Sequence, residues 1–389
     1  GADEWDIVEI KSGTSIKEDT FHDVSFQKYV YELAGLKIRK CFVMHLNNQY
    51  VLSSSLDIES LFVKTDITEN LDASSDVKRN IEEIMAIVAL DKAPEHSPGE
   101  YYCDDKYQVH ETDEFYKKHP KFDIFDLYYA KGVAIELFHE GIFEIADIPE
   151  HRLFKKQHFI QQKTHKSGEH YLAHKELDIF ISELKYPLYF MDFETYSPSV
   201  PLYNGMHPYQ RVPFQFSVHI VSKAGAKPKH ISFIASGVED PREEFIDTLV
   251  KSLGDKGSIV VYHAPFEKGL LSEIAEFLPK HKSWVESVNA RVVDLLIPFK
   301  NFSYYHPSQK GSASLKKVLP AVTGKTYEDL EISEGETASR LYYEMIHSKS
   351  TLSPAKKKKL LKDLEEYCKL DTQGMIDILE KLESLKAEK

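Results

Sequence analysis

The order of hydrophobic runs predicts an α/β fold. The C-terminal half reads as a mixed sheet flanked by helices, and a smaller α/β domain precedes it. Three observations carry this. Apolar runs at 188–195, 214–221 and 230–234 have strand length and follow one another closely. From Asp240 onward, helix and strand alternate. Ser353-Pro354 then opens a long closing helix that reaches about Leu385. Strands, then alternation, then a closing helix describe a layered sheet with helices packed against it.

The elements follow in order. Asp6 to Lys11 alternates as a strand, and Phe21 to Leu36 reads as a helix ending near Gly35. Cys41–Leu46 and Tyr50–Leu52 read as a strand pair joined by Asn47-Asn48. Asp66 to Leu90 is polar and helical. Ala93 to Lys121 is rich in Pro, His, Asp and Tyr and reads as irregular. Phe122 to about Leu184 reads as a mostly helical connector. After the three strands named above, Asp240-Pro241 starts a helix to about Leu253. Ser258–Tyr262 is a strand, Phe266–Leu278 a helix, and Arg291–Leu296 a short extended piece. The expected domains are 1–92, the connector 93–185, and 186–389. No internal repeat is visible.

The totals set bounds. A chain of 389 residues suits two or three domains. Cys41, Cys103 and Cys368 are odd in number and far apart, so no disulfide framework is implied and a reducing compartment fits. No apolar stretch has membrane-spanning length and the first residues do not form a signal peptide, so the expectation is a cytoplasmic protein with no membrane partner. The net charge of −13 argues against a protein coated with nucleic acid. It leaves room for an enzyme that spends carboxylates on metal ions and meets phosphates in a local groove. Lys316, Lys317 and Lys356–Lys359 are available for that, although a lysine run is more often a solvated face.

The carboxylates of the C-terminal half carry the chemistry. Asp192 and Glu194 sit two apart at the end of an apolar strand, so both point to one face. Like charges placed side by side are costly without a cation between them; the alternative is a strand end that emerges into solvent. In the last helix, Asp371 falls inside the apolar stripe Leu360, Leu361, Leu364, Cys368, Met375, Ile378, Leu379 and Leu382. Tyr367 lies one turn earlier on the same face. A carboxylate there needs a metal, a proton or a salt bridge. Glu267 stands in the first turn after the strand ending at Tyr262, where ordinary helix-dipole decoration is the competing reading.

In order, Asp192-x-Glu194, then His263-x-x-Phe266-Glu267, then Tyr367-x-x-x-Asp371, resemble the DEDD exonucleases, the superfamily of polymerase proofreading domains and RNase D-like enzymes. The likeness runs over about Pro187 to Leu385. It implies a ribonuclease H-like fold and 3′→5′ exonuclease activity that releases 5′-mononucleotides by a two-metal mechanism. Two Mg²⁺ or Mn²⁺ ions would be held by Asp192, Glu194, Glu267 and Asp371, with Tyr367 orienting the attacking water. Two features depart from the pattern: the middle motif of those families usually reads Asn-x-x-Phe-Asp, where this chain has His263 and Glu267. His263 and Asp294 are expected around the ligands rather than among them. Tyr196 and Tyr203 are candidates to stack on terminal bases, and core packing is the competing reading for Tyr203.

The N-terminal part carries Glu9-x-Lys11 on a strand and Gln27-x-x-x-Tyr31 on the following helix. Together these resemble the PD-(D/E)XK nucleases of the RecB branch. In that family a further metal-binding Asp lies well upstream, whereas only eight residues precede Glu9. Either the chain starts downstream of the full domain or the domain is degenerate. With Cys103 alone in the corresponding region, no iron–sulfur cluster is expected. The whole arrangement resembles a bacterial group that joins a RecB-like nuclease domain to a DEDD exonuclease domain. The expected partner is single-stranded nucleic acid, with DNA favoured over RNA. The alternatives are an exoribonuclease of the same fold and a non-catalytic nucleic-acid-binding scaffold. Protein partners are not legible.

Overall fold

A computed structural model describes residues 3–71, 74–92, 118–328, 330–348 and 352–387. Most of the segment expected to be irregular, 93–117, lies outside the described residues, as does Cys103. The chain forms two compact units. The first takes residues 1–96 and 197–211, the second 97–196 and 212–389. No described helix is long and apolar enough to cross a membrane.

In the first unit, β1 (Glu4–Ile10) pairs in parallel with β2 (Lys37–Leu46), and α1 (Glu18–Leu33) makes the crossover. Val24 of α1 packs on Ile7, Cys41 and Val43. The strand expected at Tyr50–Leu52 is not formed. Its backbone bonds go elsewhere: the Leu52 N–H donates to Met206 O and the Gly205 N–H to Leu52 O, both at 2.8 Å. The edge of β2 is taken instead by β3 (Phe62–Asp66), antiparallel, after a one-turn helix α2 (Ile58–Leu61) capped by Asp57. The helix expected from Asp66 starts only at α3 (Ser74–Val88), because Asp66 closes β3 and its carboxylate accepts the Thr68 N–H at 3.0 Å.

The second unit begins with α4 (Lys131–His139), α5 (Lys156–Ser167), the short β4 (Tyr171–Leu172) and α6 (His174–Glu183). Its main sheet has β5 (Leu188–Tyr196), β6 (Val212–Val221), β7 (Lys229–Ile234), β8 (Ile259–Val261) and β9 (Val292–Asp294), in the order β7-β6-β5-β8-β9. β6 runs antiparallel to both neighbours, while β8 and β9 are parallel to β5. This is a mixed sheet flanked by helices. α7 (Arg242–Ser252) and α8 (Ala264–Phe277) bury Phe245, Ile246, Leu249, Leu270, Leu271 and Ile274 against it.

Further along come α9 (Lys282–Asn289), α10 (Ile297–Lys300), β10 (Tyr304–Tyr305), α11 (Leu315–Thr323), α12 (Gly335–His347) and α13 (Pro354–Ala387). β10 pairs antiparallel with β4. α11 contains Pro320, which forfeits one helix hydrogen bond. Burial of Val318, Leu319 and Val322 holds the helix together despite it.

One tight junction joins β5 to the segment before β8. Gly257 has φ +90°, and a Cβ there would fall 2.0 Å from the Pro187 carbonyl oxygen. Both conditions exclude a side chain. Gly257→Ala is therefore expected to destabilise the second unit by on the order of 3 kcal/mol. Calorimetry should show its thermal midpoint lowered by roughly 5–12 °C. An unchanged midpoint would contradict this account of the junction.

Candidate active site

Asp192 and Glu194 alternate along β5 opposite Ser217 and Gln215 of β6. α13 lies over both strands. Gln215 Nε2 donates to Leu364 O at 2.8 Å, and Thr372 Oγ1 lies 2.7 Å from Ser217 Oγ and 2.8 Å from His219 Nδ1. These contacts set the rotation of α13 about its axis, so that Leu364, Cys368, Asp371, Met375, Ile378 and Leu382 form its buried face. Asp371 occupies a core position of that face.

The result is an acidic centre. Ligand-capable atoms of Asp192, Glu194 and Cys368 all lie within 4.8 Å of one another. The Cys368 thiol donates to Asp192 Oδ2 at 3.4 Å. Asp192 is half-buried, while Glu194 and Asp371 are 8 % and 7 % exposed. Burial, then the charge of Asp371, pushes the Asp192 carboxyl well above its usual range. Burial, then Asp192 and Asp371, does the same to Glu194. Burial lifts Asp371 to about 6, opposed by a hydrogen bond from Tyr327 and by the charge of Lys316. Burial also raises the Cys368 thiol, which keeps its proton. Three carboxylates that resist ionising together are an arrangement that a divalent cation stabilises. The oxygen-rich donor set fits a hard ion such as Mg²⁺ or Mn²⁺, and the protonated thiol adds no soft ligand.

Glu267 stands on a third element, outside the group formed by Asp192, Glu194 and Cys368. β8 pairs with β5 through Tyr189–Ile259 and Phe190–Val260, so both strands run toward the same sheet edge. α8 starts three residues after β8 ends, with Glu267 in its first turn and 1 % exposed. The turn is strained, since His263 has φ +81°, a region L side chains seldom adopt. Asp294 braces it. Its Oδ1 accepts the His263 and Leu296 N–H groups at 2.9 and 3.0 Å, and its Oδ2 accepts the Ala264 N–H at 3.0 Å. Both carboxylate oxygens of Asp294 are thus turned to backbone amides.

Tyr367 is 4 % exposed and sits beside Glu194. A Cβ on Gly335, the first residue of α12, would meet Glu194 Oε2 at 3.7 Å and the Tyr367 hydroxyl at 3.8 Å. Three neighbours were not legible as site residues. Tyr327 donates to Asp371 Oδ1 at 2.5 Å across 44 positions of sequence, which no local pattern signals. Lys316, visible only as part of a lysine pair, holds its Nζ 5.8 Å from the Tyr367 ring. Gly335 gave no signal either. Tyr196, a candidate base platform, is instead 4 % exposed and packed among Phe214, Tyr342, Tyr343 and His347. Tyr203 falls in 197–211, part of the first unit.

In the first unit, Glu9, Lys11 and Gln27 meet. Lys11 Nζ lies 2.9 Å from Glu9 Oε1 and 2.7 Å from Asp23 Oδ2, and Gln27 Nε2 donates to Glu9 Oε2 at 2.9 Å. The Gln27 hydrogen bond and then Lys11 hold the Glu9 carboxyl below its usual range. Tyr31 is 44 % exposed on α1.

The raised Asp371 has a measurable consequence. Between the usual carboxylate value and about 6, the native protein keeps a proton that the unfolded chain has released. Stability contributed by this group therefore falls as pH rises through that window. Relative to Asp371→Asn, the metal-free protein should lose on the order of 2–3 kcal/mol between pH 4 and pH 7. Mg²⁺ or Mn²⁺ should restore it at pH 7.5 and have little effect at pH 4.5. Denaturant unfolding at stepped pH measures both, and parallel profiles for the two proteins would rule the assignment out.

Comparison with known proteins finds a likeness over the segment that carries most of the sheet. A family model described as a domain of unknown function, DUF2779, matches residues 189–314. The match takes in Asp192, Glu194, Glu267 and Asp294. An uncharacterized protein of Mycoplasma pneumoniae is 24 % identical over 271 residues, covering 64 % of this chain and 40 % of that protein. An uncharacterized protein of Mycoplasma genitalium is 25 % identical over 217 residues, 51 % of this chain and 32 % of that protein. One of Ureaplasma parvum is 23 % identical over 229 residues, 52 % and 32 % respectively. The chain thus spans 40 % or less of the length of these curated relatives. No solved structure matches. Residues 189–314 are accordingly similar to a DUF2779 domain.

Proposed function

We propose that the second unit is a metal-dependent 3′→5′ exonuclease of the DEDD type with a ribonuclease H-like fold, acting on single-stranded nucleic acid ends. One observation carries the reading. Asp192, Glu194 and Asp371 come from two elements into one buried cluster, and among the described residues no Lys or Arg forms an ion pair with any of them. The strand order, with its one antiparallel member beside β5 and a closing helix across β5 and β6, supports the fold assignment. The resemblance of the three motifs to DEDD exonucleases supports the reaction. DNA is the substrate to assay first, with RNA of the same sequence as the alternative.

Asp192, Glu194 and Asp371 are the residues that would hold divalent ions, with Glu267 contributing from α8. Ions bound there activate water and neutralise charge that builds on the phosphate. The remaining roles belong to the chain itself. The Tyr367 hydroxyl, beside Glu194, orients the attacking water toward the phosphorus. Tyr327 fixes one oxygen of Asp371, leaving the other free to face the ligand. Lys316, exposed next to Glu194 and Asp371, meets a nonbridging phosphate oxygen. Asp294 and the His263 turn hold Glu267 in place. Attack by water with loss of the 3′-oxygen leaves a 5′-mononucleotide.

The test is digestion of end-labelled single- and double-stranded DNA and RNA with Mg²⁺ or Mn²⁺. Asp192→Ala should abolish degradation, because that carboxylate is central to ion binding. Tyr367→Phe should keep a residue of activity, slowed by roughly 10²–10³, the worth of one orienting hydrogen-bonding group. Equal residual activity in the two variants would contradict these roles.

The first unit is proposed not to cleave by itself. Lys11 is already shared between Glu9 and Asp23, so the charge of Glu9 is spent on an ion pair. A Glu9→Ala, Lys11→Ala double variant should degrade substrate at close to the wild-type rate. A metal-dependent cleavage that persists in Asp192→Ala and vanishes in the double variant would show a second active centre.

A further inference from the structure

A separate surface of the second unit presents an aromatic ring that the acidic centre does not use. Tyr129 is 77 % exposed and has φ +45°. A bulky residue seldom adopts that conformation, and strain of this kind persists only where the surroundings enforce it. Here three side chains of one segment enforce it. Gln161 Oε1 accepts the Tyr128 N–H at 2.8 Å, and His158 Nε2 donates to Tyr128 O at 2.9 Å. Lys155 Nζ donates to Tyr129 O at 2.9 Å. Both Gln161 and His158 are fully buried in α5. The ring of Tyr128 rests on Phe302 at 4.9 Å, and its hydroxyl reaches Lys300 O at 3.2 Å. The backbone on both sides of Tyr129 is therefore fixed, and its exposed ring meets the Tyr128 ring edge-on at 4.6 Å, with Lys155 Nζ 5.8 Å from its centre.

Tyr129 lines a cavity of about 480 Å³ together with Tyr128, His263, Lys300, Lys310 and Ser314. That volume falls within the roughly 300–1,000 Å³ of small-ligand sites. Lys300 and Lys310 are exposed, and among the described residues neither forms an ion pair. Asp126, on the same wall near Lys310, is the acidic group of the lining. The cavity adjoins the catalytic elements at two points. His263 begins the turn that carries Glu267, and Ser314 immediately precedes α11, which carries Lys316. An exposed aromatic residue with Lys155 near its ring and Lys300 and Lys310 in the same cavity lining, on a chain of net charge −13, is complementary to a polyanion bearing flat bases.

We propose that this cavity is a subsite for an unpaired nucleotide of the strand being degraded, away from the scissile phosphate, its base stacked on Tyr129 and its neighbouring phosphates met by Lys300 and Lys310. The proposal rests on the exonuclease reading of the acidic centre. It is tested on the full chain in EDTA, by fluorescence anisotropy with a labelled 20-nucleotide single strand, as DNA and as RNA of one sequence. Tyr129→Ala should weaken binding by about 5- to 100-fold, and Tyr129→Phe, which keeps the ring, by less than about 2-fold. The Lys300→Ala, Lys310→Ala pair should flatten the salt dependence by about 1.4 in log–log slope. Tyr129→Gly relieves the backbone strain, so it should lose binding without a lower thermal midpoint.

The two readings fail separately. Wild-type affinity in Tyr129→Ala and Tyr129→Gly overturns the subsite, even if the protein degrades nucleic acid. So does the absence of any binding by the wild type. Binding that depends on Tyr129, in a protein that releases no mononucleotide with Mg²⁺ or Mn²⁺, keeps the subsite as a strand-binding surface and overturns the exonuclease. Dependence on Tyr129 in only one of the DNA and RNA arms supports the subsite and identifies the strand.

Discussion

Mutual repulsion among Asp192, Glu194 and Asp371 is the constraint around which the second unit is arranged. Each carboxylate by itself would be accommodated by a proton or a lysine. Placed together and largely out of water, all three are raised by burial, and the charge of Asp371 raises Asp192 and Glu194 further, so ionising them together is costly. Much of the surrounding structure serves to hold them there. The polar contacts of Gln215, Ser217 and His219 lock α13 to the sheet, and Tyr327 fixes Asp371 from a loop. The core beneath supplies the rigidity. A fold that only needed to be stable would place leucine at 371.

That violation of local rules is also why the centre was legible in the sequence. A carboxylate inside an apolar helix stripe, and two more at the end of an apolar strand, stand out against strong periodic signals. The elements carrying them, β5 and α13, and their neighbours β6, β7 and α7 are long or well punctuated, and their bounds differ from the sequence reading by at most two residues. Where the signal was local and weak, the reading fell short. α9 and α11 are short, and Pro320 disguises α11. The edge of β2 is decided by tertiary pairing, with 50–52 bonded to 205–206 and 62–66 taking its place. Nothing at Tyr327 or Gly335 announces contact with residues distant in sequence. His263 in a left-handed conformation is equally illegible, because only the three amide bonds to Asp294 make it tolerable.

The two units handle charge differently. In the first, Glu9 finds Lys11 two residues along its own segment, and Lys11 is shared with Asp23. In the second, the acids of the centre lie beside an exposed lysine, Lys316, that stays unneutralised by them. An acidic chain can thus still carry local positive potential at a few exposed lysines.

The loop between β5 and β6 has a further consequence. Residues 197–211 belong to the first unit, where Met206 and Gly205 bond Leu52 and the Tyr209 hydroxyl donates to Ser12 O at 2.6 Å. During translation, then, the first unit is not whole when residue 96 leaves the ribosome. At about 5–20 residues per second, its last piece follows on the order of ten seconds later. By that time β5 has emerged and β6 has not. The strand that carries Asp192 and Glu194 thus emerges before either of its sheet neighbours, so the nascent chain must carry an unpaired apolar strand while its N-terminal unit closes.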